Sequence, residues 1–267
     1  MLPGTEIMKV VAVGNQKGGV GKTTTALNLS ATLAARGQRV LLIDLDPQAN
    51  TTSGLGFEVE GEDTVYPSLI GDHDVRKNIR ESGRDRLWLI PSHMDLAGVE
   101  IELARSDDHL TRLRGILQGL KPNDLFEYCI LDTPPSLGVL MTSALAAADE
   151  VLVPLQCEWY GLEGLAKIVR VIDEIRASGA SPDLHVEGIV MTMFDNRTNL
   201  ARQVIEEVQN YFPTELYKTY IPRTVRLSEA PSHARTILEH DPNGLGAQSY
   251  LALADEFLER HGVAATA

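Results

Sequence analysis

A chain of 267 residues that is 43% hydrophobic and 23% charged is long enough for one sizeable core and has ordinary globular composition. Its 37 acids against 24 bases give a formal charge of -13, which disfavours gripping an anionic polymer except through a local patch, and 5% aromatic content argues against a stacking platform for single-stranded nucleic acid. Cys129 and Cys157 are far apart in apolar stretches without a CxxC partner, so neither a disulfide framework nor a zinc site is expected, and no apolar run is long enough to cross a bilayer.

The first strand-like run, Lys9 to Val13, follows no basic and apolar leader, so no signal peptide is expected. It leads into a glycine-rich turn and then into helical spacing from Thr23 to Arg36 (Ala26, Leu29, Leu33), stopped by Gly37. Buried-type strands are predicted at Arg39 to Asp44, Leu87 to Ile90, Tyr128 to Leu131, Glu150 to Val153, Val186 to Met191 and Leu216 to Ile221. Helices are predicted at Leu96 to Arg105, His109 to Leu120, Gly138 to Ala147, Gly161 to Ala177, Thr198 to Tyr211 and Ala247 to Arg260. The polar, glycine-punctuated stretch Gly54 to Arg86 reads as an irregular surface excursion. The alternation implies a single α/β domain with a mostly parallel sheet, helices on both faces and ligands at the carboxyl ends of the strands. Residues 1–8 read as a short extension, 9–261 as the domain and 262–267 as a frayed tail.

Between the first strand and helix stands Lys17-Gly18-Gly19-Val20-Gly21-Lys22-Thr23. The glycines let backbone amides turn inward around phosphate, Lys22 offers charge to the β- and γ-phosphates, and the Thr23 hydroxyl suits Mg²⁺. The helix start adds its partial positive charge. Gln16 occupies the position where the strict GxxxxGK[ST] pattern has its first glycine, and Lys17 is a second lysine for which a simple phosphate loop has no use. Two further strands end in acids. Asp44 and Asp46 are two residues apart, sharing a face if the strand persists or serving as a helix cap if it does not, and Asp132 precedes Thr133-Pro134-Pro135, where proline forbids continuation. An Asn-Lys-x-Asp run of the guanine-reading type is absent, which favours adenine.

The loop with its extra lysine resembles that of the deviant Walker A ATPases, the group of ParA, MinD and the nitrogenase iron protein. Within it, Asp46-Pro47-Gln48-Ala49-Asn50-Thr51-Thr52-Ser53-Gly54, Pro91 to Glu100, Thr192 to Asn199 and Ile221 to His233 resemble segments of the chromosomal ParA proteins of Soj type, and the likeness runs from about Met8 to His261. The resemblance implies a P-loop ATPase that binds ATP and Mg²⁺ and closes as an ATP-dependent homodimer. Lys17 would reach the other subunit's nucleotide, Asp44 would lie near the Mg²⁺ shell, Asp46 would position the attacking water and Asp132 would hold a water on Mg²⁺. Nucleotide contacts would come from Lys17 to Thr24 and from Pro222 and Arg223, with the proline-containing portion against adenine.

Between Leu216 and Arg235 stand four bases and one acid, a local +3 against -16 for the remainder. In the family such residues bind double-stranded DNA without sequence preference once ATP joins the dimer. The candidates are Lys218, Arg223, Arg226 and Arg235, with Arg197 and Arg202 as further contributors. A ParB-type centromere-binding protein would stimulate a slow ATPase, on the nucleoid and in the cytoplasm. After Ser232-His233 the family usually has Gly-Lys, where this chain has Ala234-Arg235, which puts the flexibility of that loop in question. No amino-terminal helix-turn-helix extension is expected.

The competing readings are a MinD-like membrane ATPase, an iron-protein-like reductase, a metabolic P-loop ligase and an ATP-holding module without turnover. The last helix carries Asp255, Glu256 and Glu259 against Arg260, and Tyr250, Ala254, Phe257 and Leu258 read as a core stripe, so membrane attachment is not expected.

Overall fold

Aliphatic runs build the sheet, and residues alternate between its two faces. In the computed structural model, which describes residues 8–71, 73–103, 108–121 and 125–263, the strands are Lys9–Val13 (β1), Val40–Asp44 (β2), Arg80–Glu81 (β3), Leu87–Ile90 (β4), Tyr128–Asp132 (β5), Glu150–Gln156 (β6) and His185–Thr192 (β7). They form one sheet in the order β3-β4-β2-β5-β1-β6-β7, parallel except for β3, which pairs antiparallel with β4. Val10, Ala12, Leu41 and Ile43 face one apolar layer, and Val11, Val13, Val40 and Leu42 face the other. Burial on both faces is why these strands read as unbroken apolar runs.

One layer holds Lys22–Ala35 (α1), Ile237–His240 (α10) and Leu245–Arg260 (α11). The other holds Tyr66–Ile70 (α3), Leu96–Leu103 (α4), Arg112–Gln118 (α5), Val139–Ala147 (α6), Trp159–Ser178 (α7) and Asn199–Tyr211 (α8). Asn50–Gly54 (α2) and Val225–Glu229 (α9) complete the order. Eleven of the fourteen residues of α1 are buried, because it lies between the sheet and α11; several of its polar groups are therefore used internally, Asn28 accepting from the Ile237 amide at 2.8 Å and Thr25 meeting the Tyr250 hydroxyl at 3.2 Å.

Two expectations need correction. Leu216 to Ile221 is not a strand: Leu216 and Pro222 make only isolated parallel bridges to Ile189 and Phe194. The amides of Lys218 and Thr219 turn instead to the Glu256 carboxylate on α11, at 2.8 and 3.0 Å, so the ladder to β7 breaks between the bridges. Gly54 to Arg86 is not an irregular excursion either. It contains α3, two single 3₁₀ turns and β3, and it buries Val65, Leu69 and Val75 against the main core. Glycine and proline punctuate this stretch so closely that each helical piece is too short for a periodic signal. Smaller shifts are that α1 begins at Lys22, α5 is shorter than His109 to Leu120 and α7 begins at Trp159, while Ala104, Arg105 and the tail from residue 264 lie outside the described residues.

Tyr250, Ala254, Phe257 and Leu258 on α11 are buried, as a core stripe requires, and Cys129 and Cys157 are buried thiols whose pKa burial pushes up, for Cys157 to about 11. Among the described residues no helix is long and apolar enough to cross a membrane.

Candidate nucleotide site and basic segment

The carboxyl ends of β1, β2 and β5 meet at one edge, where Val13 is the register partner of Asp132 and Asp132 that of Asp44. From β1 the chain turns through Gly19 (φ 75°) and Gly21 (φ 88°), a left-handed geometry that side chains resist, and enters α1. That helix start has no side-chain cap and no acid in its first turn, so its amide groups are left for an anion. The loop is braced from outside: Thr192 donates to the Val20 carbonyl, Thr133 to the Val13 carbonyl and Asn15 to the Pro154 carbonyl, each at 2.8 Å.

Lys22 is 6% exposed and its ammonium donates to the Lys17 carbonyl at 3.2 Å. Burial lowers its pKa, opposed by the charges of Asp132 and Asp46. Lys17 turns the other way, its Nζ 2.8 Å from Glu158 Oε2 in a pair open to solvent. Gly18, Gly19, Gly21, Lys22, Thr23 and Thr24 line a cleft of 380 Å³ with Asp46, Gln48 and Asn50 on its far wall. A second hollow of 280 Å³ shares Gly21, Thr24 and Met193 with it and is closed by Thr192, Pro222, Arg223, Thr224 and Tyr250. Pro222 and Arg223, 200 residues from the loop in sequence, thus stand at its side.

β2 ends at Asp44, so Asp46 does not continue its face. Asp44 accepts from the Asp46 amide (3.1 Å) and, at its other oxygen, from the Thr52 amide (2.9 Å) and hydroxyl (2.7 Å). Burial raises its pKa to about 6 despite those bonds. Asp132 accepts from the Thr51 hydroxyl at 2.7 Å, and burial followed by the charge of Asp44 raises its pKa to about 8, against the Thr51 bond and the nearby Thr23 hydroxyl. Asp46 is 6% exposed, lines the cleft and accepts from the Gln48 amide at 2.9 Å.

Among the described residues no three His, Cys, Asp or Glu side chains gather as for a metal held by protein alone. The Asp132 Oδ1 atom is nevertheless buried without a hydrogen-bond partner beside the Thr23 hydroxyl, and an all-oxygen set with one or two carboxylates suits a hard cation that also binds phosphate. The residues present fit Mg²⁺.

The basic residues divide. Arg223, Arg226 and Arg235 are exposed on the segment running from the second hollow through α9 to the turn at Ala234. Arg226 pairs with Glu229 at 3.1 Å. Lys218 stands apart, lining a cleft with Asp255, Glu256 and Glu259. Arg197 is exposed but pairs with Asp195 at 2.7 Å, and Arg202 donates to the Asn196 carbonyl at 3.3 Å. Ala234 has φ 53°, the left-handed geometry glycine would take more easily, and Arg84 holds its carbonyl at 2.9 Å. From the sequence Glu158 has no role, Thr51, Thr52 and Thr192 stand only as parts of family-like segments, and Tyr250 stands only as part of the core stripe. The threonine pair after Asn50 was a visible signal, whereas the other contacts join residues far apart in the chain.

A family model described as an AAA domain matches residues 8–186. The chain is 50% identical over 249 residues to the sporulation initiation inhibitor protein Soj of Bacillus subtilis, covering 93% of this chain and 97% of that protein. It is 46% identical to the chromosome partitioning protein ParA of Myxococcus xanthus, covering 94% and 88%. A Mycobacterium smegmatis crystal structure named cobyrinic acid a,c-diamide synthase, with a bound ATP analogue and magnesium, superposes with a TM-score of 0.83 at 35% identity, over 96% of each chain. With the lysine-bearing loop, the strand-end acids and this similarity along nearly its whole length, the chain belongs to the Soj/ParA family of chromosome-partitioning P-loop ATPases.

Proposed function

We propose that the protein is an ATP-switched DNA-partitioning ATPase: it binds ATP with Mg²⁺, closes with a second copy, coats double-stranded DNA without sequence preference, and lets go when a ParB-type partner stimulates hydrolysis. The observation that carries this reading is the continuity of the phosphate cleft with the hollow at Pro222 and Arg223, directly before the arginine-bearing α9. Nucleotide and basic segment are one structural unit.

In this reading the α1 amides, Lys22 and the glycine turn hold the phosphates, and the hollow bounded by Pro222 and Tyr250 takes the adenine. Thr23, Asp44 and Asp132 would hold Mg²⁺ and its waters, and the ion supplies neutralisation of phosphate charge. Asp46, which lines the cleft, orients the attacking water. Lys17 leaves Glu158 and reaches the partner's nucleotide, and Arg223, Arg226 and Arg235 face DNA, doubled by the dimer into one avid surface. The acidic surroundings of Lys218 weigh against a place for it on that surface. The burial of the α11 apolar stripe leaves that helix no free face for lipid, which favours DNA over a MinD-like membrane role.

Co-sedimentation with DNA in the presence of ATP, of ADP and of no nucleotide tests the reading. ATP-specific retention is expected. Flotation with anionic liposomes and no retention on DNA would replace it with the membrane reading.

A further inference from the structure

The carboxylates at the strand ends are hydrogen-bonded to one very short helix. Thr51 donates its hydroxyl to Asp132, and Thr52 donates amide and hydroxyl to Asp44, so these three bonds to the carboxylates all come from the first turn of α2. α2 has five residues and is entered through Ala49 in the left-handed conformation (φ 52°). So short a helix is not held by its own hydrogen bonds, and its place depends on what its ends touch.

The other end touches the basic segment. A methyl group built on Gly54 would stand 3.1 Å from Leu27 Cδ1 and 3.4 Å from Pro231 Cβ, and one on Gly56 would stand 3.0 Å from Ala234 Cβ. Pro231 and Ala234 belong to the turn that presents Arg235. A single helix therefore spans from the carboxylates that would hold Mg²⁺ to the turn that would meet DNA, with no layer between.

We propose that α2 is the coupling element of the ATP switch, with Thr51 and Thr52 as positioning residues that tie it to Asp132 and Asp44, and with its glycine end setting the position of Pro231 to Arg235. The inference deepens the DNA-switch reading above and rests on it. Asp132 spends one oxygen on Thr51 and keeps the other buried and unpartnered, so any change in what that carboxylate holds alters the pull on α2. A short helix moves as a body, and close packing at Gly54 and Gly56 leaves little slack to absorb the shift before it reaches Pro231 and Ala234. Both ends thus bias one element, which is the physical requirement for coupling between two sites.

The test compares wild type with Gly54→Ala, Thr51→Val and Thr51→Ser. Affinity is measured with a fluorescent ATP analogue, and retention on immobilised duplex DNA is measured with ATP and with ADP. Gly54→Ala, outside the nucleotide cleft, is expected to bind the analogue as wild type does while its ATP-to-ADP retention ratio falls at least about fivefold, the lower range of ordinary allosteric couplings. Thr51→Val is expected to lower the ratio similarly and Thr51→Ser, which keeps the hydroxyl, to restore it. Should Thr51→Val fail to fold, Gly54→Ala and Thr51→Ser still decide, one lowering the ratio and the other preserving it. A wild-type ratio in Gly54→Ala overturns the relay alone. Equal retention with ATP and ADP by the wild type overturns the DNA switch and the relay together.

Discussion

Asp44 and Asp132 are register partners at the carboxyl ends of adjacent parallel strands, and neither carboxylate is exposed to solvent. Burying two like charges side by side is costly, and the surrounding hydroxyl and amide donors offset only part of that cost.

Relief of the cost of burying Asp132, first from desolvation and then from the charge of Asp44, should be measurable. Asp132→Asn is expected to raise the melting temperature of the nucleotide-free protein by a few degrees, on the order of 2–4 °C per kcal/mol for a chain of this class. Mg²⁺ and ATP together should stabilise the wild type and not the variant. Scanning fluorimetry with and without both ligands checks this, and a variant that gains as much as wild type from Mg²⁺ and ATP removes Asp132 from the metal site.

Asp46 lines the cleft, and its carboxylate accepts from the Gln48 amide two residues on. Asp46→Ala is expected to keep ATP affinity and lose about 100-fold in turnover, the scale of removing one well-placed polar group from a transition state. Single-turnover hydrolysis beside equilibrium binding reads it, and Lys22→Ala, which should abolish binding itself, is the contrasting variant.

Lys17 is held by Glu158 within its own chain, in a pair whose side chains are 30% and 48% exposed. Exposed pairs contribute about 0–1 kcal/mol, so Glu158→Gln should lower the ATP concentration needed for dimerisation by no more than about fivefold. Light scattering across an ATP titration measures the shift. A higher requirement in Glu158→Gln would mean that the glutamate serves the closed dimer and does not restrain the open chain.

Arg226→Glu and Arg235→Glu should weaken ATP-dependent DNA retention and flatten its salt dependence, each removing about one counterion-releasing contact per subunit. Lys218→Glu, placed among Asp255, Glu256 and Glu259, should change neither. Retention measured across a salt series decides between the two groups.

At the opposite edge of the sheet Glu150 accepts from Lys9 and His261, each at 2.8 Å, with His185 at 3.6 Å and Glu187 also nearby in charge. Burial works against both members of the His261 pair, yet the hydrogen bonds and charges prevail, lowering Glu150 to about 2 and raising His261. A raised histidine contributes stability that is complete below its unfolded pKa, about 6.5, and is lost as pH rises through its folded value. The lowered Glu150 contributes above about 4.5 and loses that contribution as pH falls toward 2. Glu187, raised by burial to about 7, destabilises as pH climbs from its unfolded value of about 4.5 to about 7 and adds no further change above that. The advantage of wild type over His261→Gln in thermal melts should therefore be largest near pH 5 to 6 and shrink above neutrality. An advantage constant from pH 5 to pH 9 would show that the imidazole acts by packing alone.

The sequence alone determined the strand, glycine turn and helix of the phosphate loop, the acids at two strand ends and the α/β alternation. Each of these is written in neighbouring residues: apolar runs make buried strands, glycine permits the left-handed turn, and proline after Thr133 ends β5. Only the tertiary structure decided that Lys17 rests on Glu158, that Thr51 and Thr52 tie α2 to the acids, and that Lys218 lies among carboxylates. It also interrupted the strand expected at Leu216 to Ile221, because Glu256, far along the chain, takes the Lys218 and Thr219 amides while those of Tyr217 and Ile221 stay on β7. The local propensity of a segment cannot register an acceptor that folding brings from another helix, and that distance in sequence separates what was legible from what was not.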